Sequence, residues 1–254
     1  SARPTDPTLI SPYGGILVVS GATAGLIPHI RDLGVPVLEE QGPPTMFRIS
    51  DRSAPHNLYA DTELVRKHVD DRGFYFNQYV KPLYDFGNNQ SNWKSGANRI
   101  TVKYSDFTTI VWKIDNENYS RFIVDGYTDS ADAVSHNFIT IDGYTDILKA
   151  ETIVAIQGPL YKDEKTNLPS VLTVGVGPLT IISNGKYIQG TWRRTDISEP
   201  FVLSDSNGNE IKEKQDVFAN HGNPVSSCVS GLKLGLALAT TKLFLAVLVP
   251  VSLS

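Results

Sequence analysis

Leu179-Thr-Ile-Ile-Ser183, Asn184-Gly185 and Lys186-Tyr-Ile-Gln-Gly-Thr-Trp192 form one continuous stretch, and its pattern decides the fold of most of the chain. Two runs rich in β-branched and aromatic residues flank Asn-Gly, the dipeptide that most readily takes the positive φ angles of a type I′ turn. The stretch predicts a β-hairpin. Upstream the same period persists: Ile100, Val102 and Tyr104 alternate with polar residues, and so do Ile110, Trp112 and Ile114. Further β-rich runs cover Tyr119 to Val124, Thr152 to Gln157 and Val171 to Val176, and Asn207-Gly208 marks another turn after Phe201 to Leu203. Residues 97–215 are therefore expected to form an antiparallel β domain.

The first third has a different rhythm. Gly15 to Ser20 is a continuous apolar run, the pattern of a strand covered on both faces. Pro28 suits the first turn of a short helix that includes Ile30 and Leu33, and Gly34 is placed to end it. Met46 to Ile49 reads as a second short strand. From Asp61, Leu64, Val65, His68 and Val69 fall at helical spacing. The fold class expected is α+β: residues 1–86 are a partial α/β sheet-and-helix domain, 87–96 a polar linker built around Asn88-Asn89-Gln90-Ser91-Asn92, and 97–215 the β domain.

Bulk properties exclude some functions. Hydrophobic residues are 41% and charged residues 20% of 254, which is ordinary for a globular chain. A net charge of -4 supplies no basic surplus to release counterions from phosphates, so a nucleic-acid partner is not expected. Cys228 is the single cysteine, so neither an internal disulfide nor a thiolate metal cluster is available. Gly21 and Gly25 match no dinucleotide or phosphate-loop pattern, and no cofactor is expected. Asp125-Gly-Tyr-Thr-Asp129 recurs as Asp142-Gly-Tyr-Thr-Asp146 without the spacing of a calcium loop; the repeats read as tight turns, and no metal site is expected.

Several separated motifs carry a family resemblance. Ser1-Ala2-Arg3-Pro4, Ser53-Ala-Pro-His-Asn-Leu-Tyr59, Gly190-Thr-Trp-Arg193 and Asp205-Ser-Asn-Gly-Asn-Glu-Ile211 occur in the order in which they occur in the YerB-like family of bacterial lipoproteins, which the chain resembles over residues 1 to about 215. The resemblance implies two consecutive domains on a secreted, lipid-anchored protein. The chain opens with no Met, apolar signal segment or family lead, so the anchor would lie on a missing N-terminal portion, and the first domain is expected to be incomplete. Residues 216–254 depart from the family. Leu232 to Val249 is apolar but holds Lys233 and Lys242, each costing about 3 kcal/mol near a bilayer centre, so it makes a poor span. That tail reads as a shifted reading frame or as an amphipathic, membrane-associated segment.

Candidate site residues gather in the first domain. His56 follows Pro55 in a segment expected to be a loop; its imidazole suits a general acid, base or ligand, or its group is a structural turn ahead of the helix. Asn57 and Tyr59 flank it as binding groups. Arg3 either holds an anion by its forked donors or pairs with a buried acid, and Asp6 lies beside it. Ser20 ends the buried strand, where α/β folds place ligand groups, but lacks a nucleophile-elbow sequence. Trp112, Trp192, Tyr119 and Tyr187 are expected in the core or in cross-strand pairs. His136 resembles a family position in the β domain.

The functional expectation is an extracytoplasmic, envelope-associated protein that binds cell-wall material or an envelope protein, with the β domain as the interaction module. The rival is a hydrolase of cell-wall or peptide substrates, with catalytic His56, Asp6 or Asp51 as orienting acid and Arg3 holding an anion.

Overall fold

The fold comes from a computed structural model that describes residues 2–13, 15–41, 44–50, 53–54, 57–71, 92–105, 108–125, 133–139, 144–211, 236–237, 243–247 and 251–253. It is mainly β, with antiparallel ladders predominating and three short helices near the start.

Helix α1 (Asp6–Ile10) leads into a 3-10 turn, Ser11–Tyr13. Strand β1 (Leu17–Val19) then pairs in parallel with β2 (Val37–Glu39), Leu17 opposite Val37 and Val19 opposite Glu39. Helix α2 (Leu26–Asp32) connects them, as a parallel pair requires. Pro28 lies in its first turn, and Gly34, at φ 77°, follows its end, both as the sequence predicts. Its inward face, Leu26, Ile27 and Ile30, buries against Ala2, Val19, Val35 and Val37.

Strand β3 (Met46–Arg48) pairs antiparallel with β4 (Leu58–Ala60), and helix α3 (Thr62–Asp71) follows. Asp61 caps α3 by accepting the Glu63 and Leu64 amides at 2.9 and 3.1 Å. Tyr59 thus lies in a strand, where the sequence predicts a loop. Three residues are too few to display alternation, and the strand is fixed by Tyr59 stacking on Phe47 across the pair, centroids 6.0 Å apart.

Among the described residues the rest builds two large sheets and two two-stranded ladders. Strand β5 (Lys94–Ser95) falls in the segment expected to be linker. Next come β6 (Arg99–Ser105), β7 (Thr108–Asp115) and β8 (Asn118–Asp125), a meander whose second turn places Asn116 at φ 58°. Short strands β9 (Val134–Ser135), β10 (Asn137–Ile139), β11 (Thr145–Ile147) and β12 (Lys149–Ala150) lead to β13 (Thr152–Ile156). Then follow β14 (Leu160–Lys162), β15 (Pro169–Val171), β16 (Gly175–Ser183), β17 (Lys186–Arg194) and β18 (Val202–Asp205). In the tail that the sequence sets apart, β19 (Leu236–Ala237), β20 (Leu243–Val247) and β21 (Val251–Leu253) are strands.

One sheet runs β12-β8-β7-β6-β21 with β9 on β8; the other runs β18-β17-β16-β13-β20-β19 with β5 on β17. The ladders are β10–β11 and β14–β15. The β16–β17 hairpin has the predicted geometry: Ser183 opposes Lys186, with Asn184 and Gly185 at φ 48° and 71°. All of β13 is buried because its sheet is covered on both faces. Ile153 and, on β16, Ile182 meet Ile100, Ile110, Trp112 and Tyr119 of the other sheet. Val154, Ile156, Leu179, Ile181 and Trp192 face the opposite way, where Phe201, Ile211 and Leu9 of α1 close the core. Tyr119 ties the layers together, donating to the Ala97 carbonyl at 2.8 Å and accepting the Gly185 amide at 2.9 Å.

Candidate functional site

Among the sequence-selected residues, Arg3 and Asp6 come together. Ala2 donates its amide to the Gly21 carbonyl at 2.9 Å, which sets the chain start beside the loop following Ser20 at the C-terminal end of β1. Asp6 Oδ2 accepts the Arg3 amide at 2.7 Å. Burial pushes the Asp6 carboxyl up from 3.8 to about 6, against the opposing pull of the Arg3 amide and the Arg3 charge. Ser20 is exposed. Its position beyond β1 is matched beyond β2 by Glu40, whose amide bonds the Val19 carbonyl at 3.2 Å.

Asn57 is occupied in holding the β3–β4 hairpin. Its Oδ1 accepts from Arg48 at 2.6 Å, its Nδ2 donates to the Ile49 carbonyl at 3.1 Å, and its own carbonyl accepts the Ile49 amide at 3.0 Å. Arg48 also forks onto Glu40, both nitrogen–oxygen distances being 2.7 Å, so the hairpin is clamped to the end of β2. Tyr59 is buried, and among the described residues none hydrogen-bonds its hydroxyl. His56 and Asp51 lie outside the described residues, as does most of the Asp-Gly-Tyr-Thr-Asp repeat. Asn57→Ala is expected to cost about 1 kcal/mol, the net worth of its hydrogen bonds, in urea denaturation; a loss above about 3 kcal/mol would contradict a local role.

In the β domain, Arg121 is buried, its guanidinium 5.8 Å from the Trp112 ring, and its Nη1 contacts His136 Nδ1. Burial lowers Arg121 to about 10, leaving it cationic at neutral pH. Trp112, Trp192 and Tyr119 are buried as expected, which removes them from any aromatic binding platform. Among the described residues no group of three His, Cys, Asp or Glu side chains could hold a metal ion, and no helix is long and apolar enough to cross a membrane.

The sequence missed a second polar set. Thr5 and Thr8 meet Ser170 and Thr173 of the β14–β15 region through hydroxyl–hydroxyl contacts of 2.8 and 2.9 Å. These partners lie 165 residues apart, and hydroxyls with no charge or motif give no signal at that separation. Arg48 and Glu40 are likewise unmarked, because their pairing depends on the unforeseen β3–β4 strand pair.

Two models of one family match the chain: Protein of unknown function (DUF3048) N-terminal domain over residues 1–75, and its C-terminal domain over 99–215. The chain belongs to the DUF3048 family. The solved structure of YerB from Bacillus subtilis shares the fold of this DUF3048 chain, with a TM-score of 0.65 and 13% identity, covering 100% of this chain and 75% of that one. No curated protein matches.

Proposed function

We propose that this DUF3048 chain is an extracytoplasmic, envelope-associated binding protein, lipid-anchored in its full-length form. An α/β portion carries an antiparallel β domain that serves as the interaction module. The ligand is an envelope protein or cell-wall material, and the chemistry of the surface favours a protein.

The observation that carries this reading is a group of large apolar side chains left in water around β14, β15 and the start of β16: Leu160 is 68% exposed, Leu172 45%, Val174 40% and Val176 62%. Tyr161 lies among them. Leu172 and Val174 alternate with buried Val171 and Thr173, the pattern of an extended segment with one side covered. Burying one such side chain is worth about 1.5–3 kcal/mol, and exposed apolar groups in one region mark interaction sites. Trp112 and Trp192, whose broad rings would best serve a sugar platform on the β domain, are in the core.

Leu172→Ser with Val176→Ser is expected to weaken co-purification of envelope partners at least tenfold while leaving the thermal midpoint within a few degrees. Unchanged partner recovery from the folded variant would sink the reading. The hydrolase reading draws on Asp6, whose carboxyl at about 6 suits proton transfer. It requires that His56→Ala abolish hydrolysis of peptidoglycan peptides by the full-length protein, and absence of any such activity in the parent removes it.

A further inference from the structure

The segment Ala2–Ile10 is gripped from two sides. Ala2 is fully buried in the cluster of Val19, Leu26 and Ile30, and its amide bonds Gly21. Leu9, four residues beyond Thr5, is buried in the β-domain core with Val154, Leu179 and Trp192. Between those anchors Thr5 meets the Ser170 hydroxyl at 2.8 Å and accepts the Val171 amide at 3.3 Å, and Thr173 donates to the Thr8 hydroxyl at 2.9 Å. Thr5, Ser170 and Thr173 are all at most 3% exposed, so this junction is both polar and dry. Asp6 is the first helical residue of the strap, between the two threonines.

We propose that Ala2–Ile10 is a proton-controlled latch between the N-terminal elements and the β domain, closed with Asp6 as the neutral acid and loosened when Asp6 ionises. A carboxylic acid still accepts the Arg3 amide through its carbonyl oxygen, whereas a carboxylate in that place forfeits hydration that the strap regains on release. Two charges act on it, Arg3 and the chain's amino group, and both pull its pKa down against the effect of burial. Arg3 lies on the strap itself, β1 carries no titratable residue, and Tyr13 is the titratable residue of the following turn. Strand β14 ends at Lys162, and the β14–β15 loop carries Asp163, Glu164 and Lys165. Asp163 is held by the Thr166 amide and hydroxyl, and Lys165 lies 3.1 Å from His29 Nδ1.

Burial raises Asp6 from 3.8 to about 6, with the Arg3 amide and charge opposing. A carboxyl whose pKa is raised in the closed state favours closure at low pH. The stabilisation is fully present below the free value near 3.8 and is lost as pH rises through about 6. A rise from 3.8 to about 6 corresponds to about a hundredfold in the closed-to-open ratio.

Hydrogen exchange on the full chain reads this directly, because the Val171 amide is bonded by Thr5 across the junction. Its protection factor, taken relative to amides of the β16–β17 hairpin, is expected to fall on the order of a hundredfold between pH 4 and pH 7.5. In Asp6→Asn the same ratio is expected to stay flat. A slope that persists in Asp6→Asn, or a parent protein with no slope, overturns the latch. Should the variant fail to fold, a carbon-detected titration of the Asp6 carboxyl in the parent decides: a midpoint near 6 supports the latch and one near 4 overturns it.

Discussion

Trp192→Ala is expected to lower the free energy of unfolding by about 3–5 kcal/mol, measured by urea denaturation followed through tyrosine fluorescence or circular dichroism. Trp192 is 1% exposed and sits in the cluster that joins β13, β16 and β17 to Phe201, Ile211 and Leu9. Its ring meets Phe201 edge-on, centroids 5.5 Å apart and planes at 79°. Its indole N–H donates to the Gln157 carbonyl at 2.7 Å where the chain leaves β13. Truncation opens a cavity and also strips that carbonyl of its donor. Trp192→Phe restores most of the apolar volume but not the hydrogen bond, and is expected to cost about 1–2 kcal/mol. A loss below about 1 kcal/mol for the alanine variant would show that this side of the sheet is not the core described.

Gly190→Ala is expected to cost more than about 3 kcal/mol, although the change is one methyl group. A Cβ at Gly190 would lie 1.8 Å from the Ser204 carbonyl oxygen and 2.8 Å from its carbon. Both atoms are backbone of β18, which pairs here with Gly190 opposite Asp205 and Thr191 opposite Ser204. No side-chain rotation relieves the clash. The two strands must part, taking with them the turn that Asp205 holds by accepting the Asn207 and Asn209 amides, each at 2.9 Å. Amide protection over Val202–Asp205 is therefore expected to be lost first in hydrogen exchange, before that of β13. A variant with full stability and intact protection there would contradict the β17–β18 register.

These two positions differ in how far the sequence foretold them. Trp192 stands at the end of a hairpin marked by Asn184-Gly185, a local signal that fixes turn type and register together. Gly190, inside the same strand, gives no hint of its partner, since close backbone approach depends on which strand comes alongside. The same division runs through the N-terminal elements. Gly34 and Asp61 announce helix ends through local chemistry, and both do so in the fold. The β3–β4 pair is too short to carry a period, so Tyr59, foreseen as an open-loop binding group, is instead stacked on Phe47.

The candidate site divides along the same line. Arg3 and Asp6 are legible as a pair because they are near neighbours in sequence, and they meet through the Arg3 amide. Asn57 is legible as a polar residue, but its clamp role requires Arg48 and Glu40, which approach only once β2, β3 and β4 are in place. Leu172, Val174 and Val176 read from sequence as part of a β-rich run like any other, and Leu160 falls outside every such run. Burial, not pattern, sets Val174 and Val176 apart from Val171.

The most direct measurement on the central claim is site-specific photocrosslinking of the full-length protein in its native envelope. A photoreactive residue at Leu172 or Val174 is predicted to give a discrete protein adduct, and one at exposed Gln189 of β17 to give none. No adduct at Leu172 or Val174, or the same adducts at Gln189, would contradict the assignment of this surface as the β domain's binding face.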